Sequence, residues 1–300
     1  MKLPHTRLVE RVPFIQQLLQ TLVQRFLDLS EVPHLRGSIS LLMKERNLTL
    51  FHEQILRDSG DDIYRFLQLL ETTNGRGLEL KRLGSIHDGG YLIPTVFSYN
   101  CCWMTLGLGQ NVDFENSLSS NACQVISFDH TLRGRTKNLN KKVQWFPFGI
   151  SSTQTDQLID IHHALKLAGL EDSNWCLKSD IEGYEWEFLP QLFGLKNLPQ
   201  VIVIELHDIL NILNPKTFKF KLEILKELSD RYEIVHANIN NFAPVLAFQG
   251  LFLPDVLELT LVEKSYTPSE SSFASQTNEV VPVSNNPRQI HIPLRLPKEP

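Results

Sequence analysis

The stretch from Trp175 to Leu189 reads WCLKSDIEGYEWEFL and decides the fold of this chain. A short apolar run stops at Asp180, Glu182 and Gly183 and then resumes with helical spacing, which is the pattern of a strand, a turn and a helix. Glycine lets the backbone turn sharply, and open α/β sheets bind their ligands at the carboxyl ends of the strands. We therefore expect the two carboxylates to lie at the edge of an active site.

The composition is that of an ordinary globular protein, because 42% of the 300 residues are hydrophobic and 21% are charged. The net charge of −5 provides no long-range attraction to phosphate backbones or anionic lipid. No apolar run approaches the ~18 residues of a membrane span, and the spacing of the four cysteines matches no zinc pattern. These features predict a reduced, cytoplasmic protein that binds neither nucleic acid nor a membrane.

The first 80 residues have a helical pattern. Apolar residues from Leu8 to Leu29 recur in steps of four and three and so form one stripe, and a further helix is expected from about Asp61 to Glu71, with Ser59 as its cap. We interpret residues 1–80 as a helical N-terminal extension. Its stripe either packs on the main domain or forms a coiled-coil seam in a homodimer.

From residue 81 the pattern changes to strands that alternate with helices, which predicts a mainly parallel sheet. We expect strands near residues 101–106, 124–129, 143–150, 174–180 and 200–206, with one helix capped by Thr155 and ended by Gly169, and another that starts at Pro215. Strands near 232–237 and 256–262 have no helix between them, which predicts an antiparallel pair at one edge. Residues 81–264 form this domain, and residues 265–300 are expected to be a flexible or loosely docked tail.

A glycine turn with Gly107 and Gly109 follows the first strand, and Asp129 ends the next strand 129 − 109 = 20 residues later. Such a turn lets a nucleotide-like ligand approach the backbone, and an acidic residue at this distance can accept ribose hydroxyls. Asp129 as a simple strand-end cap is the alternative. A dinucleotide needs a third small residue in this turn, because its pyrophosphate lies tight against the backbone, but Asn111 stands there. S-Adenosylmethionine has no phosphates, so the sequence favours it as the cofactor. Phe148 and its neighbours on the third strand are candidates to wall the adenine.

Several segments carry a resemblance to a known family: DGGYLIP at 88–94, LGLGQNVDFE at 106–115, VISFDHT at 125–131, LKSDIEGYEWEFL at 177–189 and VIVIELHD at 201–208. Together they resemble the FkbM-like family of S-adenosylmethionine-dependent methyltransferases over about residues 80–262. The resemblance implies a Rossmann-like class I methyltransferase fold, with a seven-stranded, mostly parallel sheet and an antiparallel edge pair. It also implies methyl transfer, usually to an oxygen of a sugar or other secondary metabolite.

The chain departs from many methyltransferases at Thr105, where they carry an acidic residue at the end of the first strand. The segment before the first strand offers other residues that could bind the cofactor in place of that acidic residue. Arg82 is a candidate to meet the carboxylate of the cofactor, and Asp88 with its glycine pair is a candidate to close a loop over it.

Polar side chains at the strand ends are candidates to remove the proton of the acceptor. Glu205 and His207 lie two residues apart and so share a face of the fifth strand, next to Asp180 on the neighbouring strand. We predict His207 as the general base, Asp180 and Glu205 as groups that orient it or the acceptor, and Asp180 as a neighbour of the cofactor. Glu182 is expected to be a local cap. A variant with a divalent metal, Mg²⁺ or Mn²⁺, would use Asp180, His207, His236 and Asn240.

The sequence therefore predicts an S-adenosylmethionine-dependent O-methyltransferase that acts on a small-molecule or glycan acceptor by in-line transfer. It gives no chemical indication of which acceptor. Two alternatives stay open: a nucleotide-dependent oxidoreductase, and a non-catalytic, methyltransferase-like binding module.

Overall fold

A computed structural model describes residues 60–72, 78–210, 215–248, 251–266 and 284–288, together with residues 291, 292, 294 and 296. The chain divides into two compact units, residues 1–60 with 211–218 and residues 61–210 with 219–300. The second unit contains the sheet and the site that follow. The predicted stripe from Leu8 to Leu29 and the predicted cap Ser59 lie outside the described residues. Within the described segments, no helix has the length and apolar character that a membrane crossing requires.

The described segments form helices and strands that alternate along most of the chain. The helices are α1 (Gly60–Leu69), α2 (Asp113–Ser120), α3 (Ile161–Ala168), α4 (Glu185–Leu192) and α5 (Pro215–Arg231). The strands are β1 (Leu80–Gly84), β2 (Gly90–Pro94), β3 (Cys102–Leu106), β4 (Gln124–Phe128), β5 (Gln144–Phe146), β6 (Gly149–Ile150), β7 (Leu158–Ile159), β8 (Cys176–Ser179), β9 (Val201–Leu206), β10 (Tyr232–Ile239), β11 (Val245–Phe248), β12 (Leu251–Pro254) and β13 (Leu257–Glu263).

Seven strands form the central sheet in the order β10-β13-β9-β8-β3-β4-β5. The strands β9, β8, β3, β4 and β5 are parallel to one another, whereas β13 is antiparallel to both β9 and β10. Every residue of β8 and β9 is buried, as expected for parallel strands covered on both faces. The mixed α/β class, the seven-stranded and mostly parallel sheet and the antiparallel pair near one edge are therefore confirmed.

The register of the sheet brings the ends of four parallel strands into line. Leu106 at the end of β3 pairs with Phe128 of β4 and with Ser179 of β8, and Ser179 pairs with Ile204 of β9. The residues that follow these positions therefore lie along one edge of the sheet, and they are Gly107, Asp129, Asp180 and Glu205.

The third predicted strand, at 143–150, is wrong in one respect because it is broken at Pro147 and Phe148. Its first part is β5, at the edge of the central sheet, and its second part is β6, which pairs with β7 in a separate sheet. Proline has no N–H to donate to a strand ladder, which explains why the pairing stops there. The break also directs Phe148 away from the positions that a continuous strand would give it.

The helix predicted from Thr155 begins later than expected, at Ile161. Its cap is Asp160, which accepts the N–H of His163, and its end at Gly169 is confirmed, with φ of 68°. Thr155 instead accepts the N–H of Leu158 in the turn before β7. Local hydrogen bonding by a threonine thus stabilises a turn where the sequence pattern alone favoured a helix.

Part of the predicted C-terminal tail docks on the sheet unit. Asn285 is 3% exposed, its Nδ2 donates to Glu258 Oε1 at 2.6 Å, and its Oδ1 accepts from Asn238 Nδ2 at 2.9 Å. The backbone oxygen of Ser284 accepts from His87 Nδ1 at 2.9 Å. The segment therefore connects the loop before β2 with the β10–β13 pair.

Candidate functional site

A cavity of about 580 Å³ opens at the carboxyl ends of β3, β4 and β8. Volumes of this size are typical of sites for small molecules and cofactors. Its wall includes the glycine turn after β3 and the residues after β4 and β8, and it also includes apolar side chains at Phe128, Ile150 and Leu158. The cavity therefore lies where the sequence predicts ligand binding.

The glycine turn after β3 needs glycine at its first position. Gly107 has φ of +75°, and a Cβ built on it would lie 1.7 Å from the backbone oxygen of Asp180. Gly109 also has a positive φ, +58°, but a Cβ there would have no neighbour within 4 Å. Gly107 thus permits the close contact of two backbones, and Gly109 leaves space on the cavity wall.

Asp129 holds the glycine turn through both carboxylate oxygens. Its Oδ2 accepts the N–H of Leu108 at 2.9 Å and that of Gly109 at 3.0 Å, and its Oδ1 accepts the N–H and the hydroxyl of Thr131 at 2.8 and 2.6 Å. Burial raises the pKa of Asp129, but these donors outweigh burial and lower it below its usual value. A carboxylate has about four acceptor positions, so the protein itself fills them.

A buried charged group lies on the other wall of the cavity. Lys178 is 4% exposed, and its Nζ donates to the backbone oxygen of Gly107 at 2.6 Å and lies 3.6 Å from Asp180 Oδ2. Burial lowers the pKa of Lys178, but the carboxylates of Asp180, Glu115 and Glu205 raise it above its ordinary value. The hydroxyl of Tyr91 donates to the same Asp180 Oδ2 at 3.1 Å and lies 3.3 Å from Glu205 Oε1.

His207 lies at the end of β9 within a group of carboxylates. Its Nδ1 is 3.2 Å from Glu185 Oε1, and its Nε2 is 3.6 Å from Glu182 Oε2 and 3.7 Å from Glu205 Oε2. Burial lowers the pKa of His207, but the hydrogen bond to Glu185 and the nearby negative charges outweigh burial and raise it to about 10. At neutral pH this imidazole therefore holds two protons, so it has no lone pair with which to act as the predicted general base.

The stability of the folded chain should fall as pH rises from 6.5 to about 10. The folded pKa of about 10 exceeds the ordinary value of 6.5, so the contribution of His207 is complete below pH 6.5 and is lost as pH rises through the folded pKa. Within this range each pH unit should remove up to about 1.4 kcal/mol. Urea denaturation across the pH range measures this slope. His207→Gln should flatten it, and an equal slope in the variant would contradict the assignment.

Glu185, rather than Glu182, caps the turn that opens α4. Its Oε1 accepts the N–H of Ile181 at 2.9 Å and its Oε2 accepts the N–H of Gly183 at 3.0 Å, and Glu185 is fully buried. The side chain of Glu182 is 85% exposed and its backbone φ is +56°. The structure thus corrects the prediction of Glu182 as the local cap.

Not all of the predicted cofactor and metal residues reach the cavity. Asp88 lines it, whereas Arg82 and Phe148 do not. Arg82 Nη1 instead donates to the backbone oxygen of Gly90 at 2.5 Å and holds the β1–β2 loop. His236 does not line the cavity either, and burial, together with the charge of Arg82, lowers its pKa to about 4.

Asn240, a predicted metal ligand, points its amide hydrogens at the carboxylate of Glu205. Its Nδ2 donates to Glu205 Oε2 at 3.3 Å, and its Oδ1 accepts the N–H of Phe242 at 3.0 Å. Since a backbone N–H only donates, this second bond fixes which side-chain atom is the oxygen. Asn240 therefore orients Glu205 and is not placed to bind a cation through its oxygen.

Sequence reasoning missed four buried polar residues of the site: Tyr91, Glu115, Lys178 and Glu185. One of them left a signal, because Lys178 is two residues before Asp180 in an apolar strand and so shares its face. Glu115 is 1% exposed, lines the cavity, and its Oε1 has no hydrogen-bond partner among the described residues. It lies in LGLGQNVDFE, but nothing in that pattern distinguishes it from an exposed helical glutamate.

Comparisons with known proteins add little to this geometry. No protein-family model matches the chain, and no curated protein matches it. Among solved structures, a fibrillarin pre-rRNA processing protein of Methanococcus jannaschii is similar over 56% of this chain and 68% of its own, with 10% identity and a TM-score of 0.33. A similarity of that size carries no inference about activity. Any inference about the activity of this chain therefore depends on the geometry of its site.

Proposed function

We propose that the chain is an S-adenosylmethionine-dependent methyltransferase that methylates a hydroxyl of a sugar or secondary-metabolite acceptor. One observation carries the proposal: a single cavity of about 580 Å³ joins the glycine turn and Asp129 on one side to Asp180 on the other. The resemblance of the strand-end segments to the FkbM-like family supports the same activity, as does the seven-stranded sheet with its antiparallel pair.

The cofactor would bind at the carboxyl ends of β3 and β4. The side chains of Phe128, Ile150 and Leu158 offer an apolar surface for adenine, in place of the Phe148 that the sequence favoured. A ribose hydroxyl would reach Asp129 by replacing the Thr131 hydroxyl on Oδ1, since the remaining acceptor positions hold the backbone. Asp88 would close the cavity beside the methionine tail of the cofactor.

Glu115 offers the negative charge that Thr105 does not supply. Thr105 is an uncharged residue whose hydroxyl is hydrogen-bonded to Ser127 Oγ at 2.7 Å. Glu115 lines the cavity with a buried oxygen that has no partner in the described part of the chain. We assign this oxygen to the ammonium group of the cofactor, because a buried acceptor without a donor is costly unless a ligand supplies one.

S-Adenosylmethionine, when bound, supplies a methyl group on a positively charged sulfur. An acceptor oxygen attacks the methyl carbon in line with the C–S bond, and the products are an ether, a neutral thioether and a proton. Asp180 is the residue placed to take that proton. It lines the cavity, its Oδ2 is held by Tyr91 and Lys178, and its Oδ1 receives no hydrogen bond from the described residues. Since His207 is already protonated at neutral pH, its role is that of a positive charge that balances Glu205 and Glu185.

Calorimetry with S-adenosylmethionine and with S-adenosylhomocysteine tests the proposal. The wild-type chain should bind both. Asp129→Ala should lose binding because the N–H groups of Leu108 and Gly109 lose their acceptor. Asp180→Asn should keep binding but should reduce transfer of a labelled methyl group to a panel of hydroxyl-bearing glycosides and metabolites by about 10²- to 10⁴-fold, the usual contribution of a general base.

No binding of either ligand by the folded wild-type chain would overturn the proposal. Tighter binding of a nicotinamide dinucleotide than of S-adenosylmethionine would favour an oxidoreductase. Binding of the cofactor with transfer that is equal in the wild type and Asp180→Asn would leave the methyltransferase assignment intact but would remove Asp180 as the proton acceptor.

A further inference from the structure

Three side chains of metal-binding type converge at the ends of β8 and β9. One ligand atom each from Asp180, Glu205 and His207 lies within 4.8 Å of the others. The strands are parallel neighbours, so the convergence is a property of the sheet and not of a mobile loop. Glu205 is 4% exposed and is held by the amide of Asn240.

The imidazole of His207 is oriented as metal ligands usually are. A histidine that binds a metal donates its second ring N–H to a carboxylate or carbonyl, which fixes the ring. Here that acceptor is Glu185, 3.2 Å from Nδ1. Glu185 cannot donate in return, because as a carboxylate it already accepts the N–H groups of Ile181 and Gly183. Nδ1 is therefore the donor, and Nε2 faces the other groups.

The distances at Nε2 favour a shared ion over a direct hydrogen bond. Nε2 lies 3.7 Å from Glu205 Oε2 and 3.6 Å from Glu182 Oε2. An N–H···O hydrogen bond is about 2.7–3.2 Å long. Two ligands that bind one cation at about 2.0–2.2 Å each are separated by roughly 3–4 Å. The distances from Nε2 to Glu205 and to Glu182 are both too long for a hydrogen bond and both match two ligands of one cation.

The charges around this point call for a cation. Asp180 keeps its Oδ1 clear of hydrogen bonds from the described residues, because Tyr91 and Lys178 approach its Oδ2. Carboxylates outnumber the positive groups at the cavity wall and around His207: Asp88, Asp180, Glu182, Glu185 and Glu205 face Lys178 and His207.

We propose that Asp180, Glu205 and His207 bind a divalent cation, with Asp180 offering a carboxylate oxygen, Glu205 offering Oε2 and His207 offering Nε2. The cation displaces the proton of Nε2, which leaves to solvent. Two carboxylates suit Mg²⁺ and Mn²⁺, and the imidazole favours the softer Mn²⁺ of these two. Glu182, which lies beside Nε2 and is 85% exposed, completes the negative surroundings. Of the residues that the sequence suggested for a metal, His236 and Asn240 are replaced by Glu205.

The cation site does not depend on methyl transfer, but its use in catalysis rests on the proposed function. A divalent cation bound by three protein groups has further coordination positions. An acceptor hydroxyl that occupied one of them would lose its proton more readily. With Asp180 bound to the cation, the exposed carboxylate of Glu182, which also lines the cavity, would accept that proton in place of Asp180 and pass it to solvent. Acceptors with two adjacent oxygens would then bind better than isolated alcohols.

Titration of the full chain with Mn²⁺ after treatment with a chelator tests the site. Electron paramagnetic resonance measures free Mn²⁺, and it should show one ion bound per chain. Electron spin echo modulation should detect the ¹⁴N nucleus of a coordinated imidazole. Asp180→Asn keeps an acceptor for Tyr91 and replaces Oδ1 by an amide nitrogen, and His207→Gln removes the ring. Each should weaken Mn²⁺ binding by at least about 10-fold.

His130→Ala is the matched control, because His130 also lines the cavity but lies outside the group of three. It should bind Mn²⁺ as the wild type does. Absence of bound Mn²⁺ at millimolar concentration, absence of the ¹⁴N signal in the wild type, or equal affinity in Asp180→Asn would each overturn the proposal. The ¹⁴N result decides even where a variant fails to fold.

Calorimetry with S-adenosylmethionine on the same chelated sample separates the two proposals. Cofactor binding without Mn²⁺ binding would overturn the cation site and leave the methyltransferase assignment. Mn²⁺ binding without cofactor binding would leave the cation site and overturn the methyltransferase assignment.

Discussion

Replacing Gly107 by alanine should lower the free energy of unfolding by about 2–5 kcal/mol and abolish cofactor binding. The added Cβ would lie 1.7 Å from the backbone oxygen of Asp180. That backbone cannot easily move away, because the N–H of Asp180 donates to Leu106 at 3.0 Å and the N–H of Gly107 donates to Phe128 at 3.0 Å. Overpacking accounts for ~1–3 kcal/mol, and a side chain at φ of +75° adds ~1–2 kcal/mol.

Gly109→Ala is the matched control for this prediction. Gly109 has a similar φ, +58°, but its Cβ would meet no atom within 4 Å. Only the cost of a left-handed backbone, ~1–2 kcal/mol, should remain. Urea denaturation of both variants gives the comparison, and equal losses would show that the approach of the β8 backbone to Gly107 does not limit the turn.

The strands of the site could be predicted from sequence because their signal is local. β8 and β9 are fully buried and mostly apolar strands that end near charged residues, and the sequence predicts their ends to within two residues. The parallel arrangement followed from the alternation with helices. From these two facts the meeting of Asp180 with Glu205 at one edge could be expected, and the structure brings them together with His207.

Other features of the site depend on contacts that no local pattern contains. The charge state of His207 is set by Glu185, Asp180 and Glu205, which belong to three different parts of the chain. Sequence spacing correctly placed His207 on the same face as Glu205, but the pKa that decides between base and cation comes from packing. The pKa of His207, raised to about 10, therefore argues against the predicted general base, which stays a prediction.

The adenine wall shows how one proline can redirect a prediction. A continuous strand over residues 143–150 predicts that Phe148 lies at the cavity. The break at Pro147 sends β6 to pair with β7, so that Gly149, Ile150 and Leu158 line the cavity instead. Ile150, one of the neighbours of Phe148 that the sequence also offers for this wall, is the candidate from the third predicted strand that lines the cavity.

Lys178→Met should be among the most destabilising substitutions in the sheet, with a loss of about 3–5 kcal/mol in the free energy of unfolding. Lys178 is 4% exposed and lies near three carboxylates, Asp180, Glu115 and Glu205, which raise its pKa against the effect of burial. Methionine fills a similar volume but leaves those negative charges without their buried counter-charge. It also removes the donor to Gly107, so cofactor binding should weaken as well.

Lys196→Met provides the contrast, because Lys196 and Asp172 form an ion pair at 3.5 Å whose side chains are 84% and 85% exposed. Such pairs contribute about 0–1 kcal/mol.

Lowering the pH should reduce the difference in the free energy of unfolding between Lys178→Met and the wild type. Burial raises the pKa of Glu115 and Lys178 lowers it, so without the lysine the pKa of Glu115 rises further. A folded pKa above the unfolded one means that stability is lost as pH rises and regained as pH falls. The destabilisation should therefore be largest at neutral pH, and urea denaturation near pH 5 and pH 7 would contradict this electrostatic explanation if the loss were the same at both.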